Sequence, residues 1–122
     1  MEVKPAVTSK KAEETVNGIY TQVVCSAFSD RILVVVTQYG KMGTLVSLSP
    51  NMVSGDLGKP SLTTKVLLGQ DEPLIHVFAK NLVSFVSEES KNKPILLALA
   101  LKDKSVESIK TVKDMIKNCQ VW

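Results

Sequence analysis

The dipeptide Asn17-Gly18 restricts the fold of this chain more than any other feature of its sequence. Both central positions of a type I′ β-turn need a positive φ, which asparagine and glycine tolerate better than other residues. The dipeptide therefore predicts a hairpin that joins a strand near Ser9–Val16 to a strand near Ile19–Phe28. The first of these carries lysines and glutamates, which protect an edge strand from unwanted pairing.

Three further strands are predicted before residue 70. Five consecutive apolar residues within Ile32–Tyr39 favour a central strand that is covered on both faces. Gly40–Gly43 indicates a turn into a strand at Thr44–Leu48, which Pro50 is expected to end. A loop rich in glycine, proline and serine follows, and Leu62–Leu68 is predicted as the fifth strand.

The rest of the chain alternates between helix and strand. Leu74–Ser87 is predicted as a helix, Ile95–Leu101 as a continuous apolar strand, and Val106–Cys119 as a second helix capped by Ser105. The element order is then βββββαβα. We expect a single α+β domain over residues 1–122, with a mostly antiparallel sheet of about six strands and two helices.

The two predicted helices differ in the width of their apolar faces. The apolar residues of the second helix fall within about 120°, the width of one buried face. Those of the first helix cover about 180°, more than one sheet can bury, so either another part of the chain or a partner protein must cover the remainder. On the partner hypothesis, Val83→Glu is expected to lower the mass in solution without unfolding the monomer. The residues predicted to form a dimer interface are Leu74, Phe78, Ala79, Leu82, Val83 and Phe85.

Composition argues against several classes of function. The formal net charge is only +3, and 14 of the 15 basic residues are lysine rather than arginine, whose planar fork is better suited to reading bases and phosphates. The two cysteines, Cys25 and Cys119, form no metal-binding motif and are expected to be reduced core thiols. The longest apolar run, Ile95–Leu101, is far shorter than the roughly 20 residues of a membrane span. We therefore expect a cytoplasmic protein with possible access to the nucleus, and neither nucleic-acid nor membrane binding.

No catalytic motif stands out. The single histidine, His76, is expected on the polar side of the first helix, with no nucleophile or acid that the sequence places beside it. Asp71 and Glu72 are interpreted as helix-capping carboxylates. Gly40–Thr44 lacks the spacing of a phosphate-binding loop. We expect no enzymatic activity, no cofactor and no metal.

Four stretches resemble a known family: Thr21–Cys25, Thr37–Leu48, Leu62–Val83 and Cys119–Trp122. They are similar to the proteasome assembly chaperone 3 family, and the resemblance runs the full length of the chain. It implies a sheet with two helices that take part in pairing. It also implies a heterodimer with a sister protein, proteasome assembly chaperone 4, and homodimers when the chain is alone. Such pairs bind α subunits of the 20S proteasome, promote formation of the α-ring and leave as β subunits join.

Within these stretches, two loops are the strongest candidates for partner contact, since binding residues concentrate in loops. They are the turn at Gly40–Gly43 and the loop at Gly69–Pro73, although their glycines could equally serve turn geometry alone. The residues predicted to contact a partner are Lys41, Met42, Lys65, Gln70, Asp71, Glu72 and Trp122.

Three other functions remain open at this point. A dimeric scaffold or adaptor for another intracellular complex would show the same apolar helix face with a different partner. An enzyme with an unrecognised site would show a deep pocket and a perturbed titratable group. Nucleic-acid binding through the lysines of the second helix would depend strongly on salt.

Overall fold

The computed structural model describes residues 7–38, 43–51 and 61–122. These residues form six strands and two helices in the predicted order βββββαβα. The elements are β1 (Thr8–Val16), β2 (Ile19–Ala27), β3 (Ile32–Thr37), β4 (Thr44–Asn51), β5 (Ser61–Leu68), α1 (Pro73–Glu89), β6 (Ile95–Ala100) and α2 (Val106–Asn118). The predicted α+β class is confirmed.

The six strands make one mixed sheet in the order β1-β2-β3-β6-β4-β5. Four of the neighbouring pairs are antiparallel, and only β3 and β6 run parallel. The β1–β2 hairpin turns at Asn17 and Gly18, whose φ angles are 49° and 77°. This is the backbone that a type I′ turn requires.

Both helices lie on the same face of the sheet. α1 packs over β4, β5 and β6, α2 packs over β1 and β2, and the two helices contact each other. The core between the layers is formed by alternate residues of the central strands, such as Val34, Leu97 and Val46, which are fully buried. The helices close it with Leu82 and Val83 of α1 and with buried apolar residues of α2.

Two details of the sheet differ from the sequence-based expectation. Pro50 does not end β4, because the strand continues through it to Asn51, paired only with β5. Proline is tolerated there because the last pair between β4 and β6 is Leu48 with Ile95, so beyond it β4 lies at an edge. β3 is central, but it is not covered on both faces, since Leu33 and Val35 remain only half-buried.

The predicted turn at residues 40–42 and most of the predicted loop at residues 51–60 lie outside the described residues. The predicted cap of α2 is confirmed, since the Ser105 side chain accepts a hydrogen bond from the backbone N–H of Ser108. The start of α1 differs from the expectation. Glu72 is its N-cap residue but makes no side-chain capping bond.

Candidate protein-interaction surfaces

The face of the sheet opposite the helices is apolar at its centre and only half-buried. We call it the open face. Pairing across the strands places side chains of β2, β3, β6 and β4 side by side on it. The apolar residues at its centre are Val24, Leu33, Val35, Leu45 and Leu96. Serines, glutamine and charged residues of the outer strands surround them, so this face combines an apolar centre with a polar rim, as protein interfaces commonly do.

The number of helices explains why this face is open. Six strands spaced by about 4.8 Å make a sheet roughly 24 Å wide, and two helices packed side by side cover roughly 20 Å. The two helices are therefore just enough for one face. This missed surface could have been inferred from the sequence by comparing the predicted number of strands with the predicted number of helices.

The residues predicted for a dimer interface on α1 have very different environments. Ala79, Leu82 and Val83 are fully buried in the chain's own core. A partner could reach them only if α1 left the sheet. Leu74 is 60% exposed, while Phe78 and Phe85 are half-buried. The interface on α1 stays a prediction for these last three residues.

The second side of α1 is covered in part by the end of the chain. The ring of Phe85 contacts the Trp122 indole edge-on, with 6.1 Å between centroids, and the ammonium groups of Lys113 and Lys117 lie 5.8 and 5.5 Å from the Phe85 ring. The indole N–H of Trp122 donates a hydrogen bond to Glu89 at 3.0 Å. Trp122, predicted to contact a partner, is thus half-buried against α1.

The loop before α1 is held by the only histidine. His76 Nε2 donates to the Asp71 carboxylate at 2.5 Å, and His76 Nδ1 shares a hydrogen bond of 2.6 Å with the Thr64 hydroxyl. Asp71 therefore binds a side chain of α1 instead of capping the helix. Neither contact of His76 was predicted from the sequence, and Thr64 lies twelve positions away on a different element, β5. The arrangement ties the loop, the first turn of α1 and the edge strand together.

The other predicted contact residues are exposed or lie outside the described residues. Gln70 and Glu72 are exposed in the same loop as Asp71, and Lys65 is exposed on β5, opposite Ser47 on the open face. Lys41 and Met42 fall outside the described residues. The structure therefore places Lys65 at the rim of the open face and the loop residues beside α1.

The two cysteines meet in the core between β2 and the end of α2. Both thiols are free and buried. Burial, together with a smaller effect of the neighbouring Cys119, raises the pKa of Cys25 to about 12. Burial also raises the pKa of Cys119. Because a thiol reacts as its thiolate, these environments disfavour reactivity. The predicted location of both cysteines in the core is confirmed, and their reduced state stays a prediction.

Across residues 7–38, 43–51 and 61–122, no group of three or more histidine, cysteine or carboxylate side chains could hold a metal ion. In the same residues no helix has both the length and the apolar character needed to cross a membrane.

Comparison with known proteins agrees with this architecture. The family model described as Proteasome assembly chaperone 3 matches residues 34–119. The mouse protein named Proteasome assembly chaperone 3 is 66% identical over 122 residues, which is the whole of both chains. The protein of that name from Nematostella vectensis is 34% identical over 116 residues, covering 89% of this chain and 86% of its own.

A solved structure shares the fold at much lower sequence similarity. A chain in the crystal structure of a novel chaperone complex for yeast 20S proteasome assembly superposes with a TM-score of 0.75 at 15% identity, covering 91% of this chain and 97% of that chain. The match to the family model and the 66% identity to the mouse protein over its whole length establish the family of this chain. This chain belongs to the proteasome assembly chaperone 3 family.

Proposed function

We propose that this protein is a non-enzymatic assembly chaperone that pairs with a sister chaperone, proteasome assembly chaperone 4, and binds α subunits of the 20S proteasome. The pair promotes formation of the α-ring and is released as β subunits join. Membership of the family supports the assembly role. The yeast chain of similar fold comes from a chaperone complex for 20S proteasome assembly.

The open face is the single observation that carries the pairing step. Its half-buried apolar side chains lie at the centre of the sheet, whereas the solvated face of a largely antiparallel sheet normally carries polar side chains. A second sheet stacked on this face at about 10 Å would bury them. We assign this face to the sister chaperone, or to a second copy of this chain when it is alone.

The proposed mechanism depends only on which surface of the assembly intermediate the chaperone occupies. A chaperone that binds an assembly intermediate more tightly than the finished particle raises the population of that intermediate. It leaves when an arriving subunit takes the surface that it occupies. No bond is made or broken, so the cycle needs no nucleotide. We place this cycle in the cytoplasm, with access to the nucleus, where the free thiols of Cys25 and Cys119 would stay reduced.

Substitution of Val35 by glutamate tests the pairing surface. Val35 is half-buried at the centre of the open face, beside Val24 and Ala98. The monomer can leave a carboxylate there in water, whereas a partner would bury it. We expect Val35→Glu to weaken pairing by about 100-fold or more, equivalent to roughly 3 kcal/mol. Light scattering of the wild-type and variant chains, alone and mixed with the sister chaperone, measures this.

The matched control is Lys80→Gln, which changes the net charge by the same amount on an exposed position of α1. It should leave pairing unchanged, and circular dichroism should show that both variants are folded. A folded Val35→Glu protein that pairs as tightly as the wild type would exclude the open face. Pairing that fails in both variants would instead indicate an effect of charge alone.

A further inference from the structure

A second surface lies on the opposite side of the molecule, between the two helices. A cavity of about 360 Å³ opens between α1 and the beginning of α2. Its apolar lining consists of Val77, Phe78, Val106 and Ile109. A smaller cavity of about 220 Å³ shares Phe78 and Lys104 with this lining and reaches Gly43 and Thr44 at the start of β4. We call the larger cavity the helix groove.

The lining of the helix groove leaves apolar surface in water. Val77 is 58% exposed and Val106, the first residue of α2, is 87% exposed. Phe78 between them is half-buried. Single exposed valines are common, but two that border a cavity floored by an aromatic ring form a continuous apolar patch of the kind that receives a side chain from a partner.

The rim of the helix groove is basic. Lys104, Lys110 and Lys113 all line it. Within residues 7–38, 43–51 and 61–122, the structure pairs none of these three with a carboxylate. The lining of the helix groove thus contains three lysines and no carboxylate, so a ligand that brings carboxylates would complement its charge.

The two charged side chains of α2 that line the groove are both lysines, Lys110 and Lys113. At about 100° per residue, Glu107 and Asp114 lie about 60° and 40° from Lys110 on the side away from Lys113, and neither lines the groove. The charges at the groove are therefore all basic, which favours acidic over basic ligands.

We propose that the helix groove binds an acidic segment of a client subunit, with one apolar side chain inserted between Val77 and Ile109 and flanking carboxylates on Lys104, Lys110 and Lys113. This inference rests on the proposed function, because an assembly chaperone must hold its client while it holds its sister. If the sister occupies the open face, the helix layer is the side that faces outward. The two sites then lie on opposite faces of the sheet and can be filled together.

The test uses the intact chaperone pair and the seven α subunits of the 20S proteasome, each purified and titrated separately. The groove variant is Lys110→Glu combined with Lys113→Glu. We expect it to weaken binding of at least one α subunit tenfold or more, while pairing with the sister stays unchanged. Raising the salt concentration should weaken binding of the wild-type pair more steeply than binding of the variant pair.

The matched control is Lys80→Glu combined with Lys91→Glu, which makes the same change in charge at two exposed positions outside the groove. It should bind α subunits as the wild type does. The apolar part is tested by Val77→Ser with Val106→Ser, which removes exposed methyl groups and leaves the core intact. We expect this variant to weaken binding threefold or more.

The outcomes separate this inference from the function on which it rests. Wild-type and groove-variant pairs that bind every α subunit equally would overturn the groove and leave the chaperone role standing. A wild-type pair that binds no α subunit would overturn both. Loss of binding to a single-stranded RNA oligonucleotide in the groove variant, with α-subunit binding unchanged, would assign the lysines to nucleic acid and overturn the proposal.

Discussion

The carboxylate of Asp103 joins the β1–β2 hairpin to the first turn of α2 through three hydrogen bonds. It accepts hydrogen bonds from the Ser105 backbone N–H at 2.9 Å, from the Ser108 hydroxyl at 2.6 Å and from the Asn17 side-chain amide at 3.1 Å. Asn17 is therefore more than a turn residue, because it also connects the β1–β2 hairpin to the first turn of α2. These donors hold the pKa of Asp103 well below its ordinary value.

Asp103→Asn keeps the shape of the side chain and removes its charge. Since the folded-state pKa is lowered, the carboxylate contributes stability that is complete above the unfolded-state pKa of about 3.9 and is lost as the pH falls below it. We expect the variant to melt a few degrees lower than the wild type at pH 7. The difference should shrink progressively below about pH 4. Thermal unfolding between pH 2.5 and pH 7 measures this.

Asp114→Asn is the control, because Asp114 is exposed on α2 and has none of these contacts. It should melt with the wild type at neutral pH. An Asp103→Asn effect of equal size at pH 7 and pH 2.5 would contradict the electrostatic account and leave only a change in shape. None of the long-range part of this cluster could be read from the sequence, since Asn17 and Asp103 are 86 positions apart.

At the scale of elements, α1 has two sides with different tolerance for charge. Val83 is fully buried, whereas Val77 is 58% exposed. The sequence-based expectation that Val83→Glu leaves the monomer folded is therefore inconsistent with the structure. We expect Val83→Glu to destabilise the fold by about 3 kcal/mol or more, and Val77→Glu to change stability by less than about 0.5 kcal/mol. Urea denaturation of both variants gives the two values, and equal destabilisation would contradict the packing of α1.

Helical periodicity located both helices to within about two residues, because each has a regular apolar face against the sheet. It could not tell what covers the second side of α1. That side meets Trp122 and the lysines of α2, and these contacts depend on how the helices pack. For the same reason, Ala79, Leu82 and Val83 could not be distinguished by pattern from the exposed Leu74 on the same apolar arc.

At the scale of the molecule, the order of strands carries information that the sequence pattern lacks. β6 inserts between β3 and β4 and runs parallel to β3, so strands more than 60 residues apart become neighbours. A run of apolar residues in β3 predicted burial on both faces. In the isolated chain, one of those faces is the open face. The sequence pattern could not reveal this, because a strand has the same run of apolar residues whether its own chain or a partner covers it.

The most direct test of the central claim is a tagged pull-down of this protein from extract of cells that are assembling proteasomes, with the bound proteins identified by mass spectrometry. We predict recovery of the sister chaperone together with α subunits of the 20S proteasome, without mature particles. Val35→Glu in the same experiment should lose the sister chaperone. Recovery of mature particles, or of neither the sister chaperone nor α subunits, would contradict the proposed role.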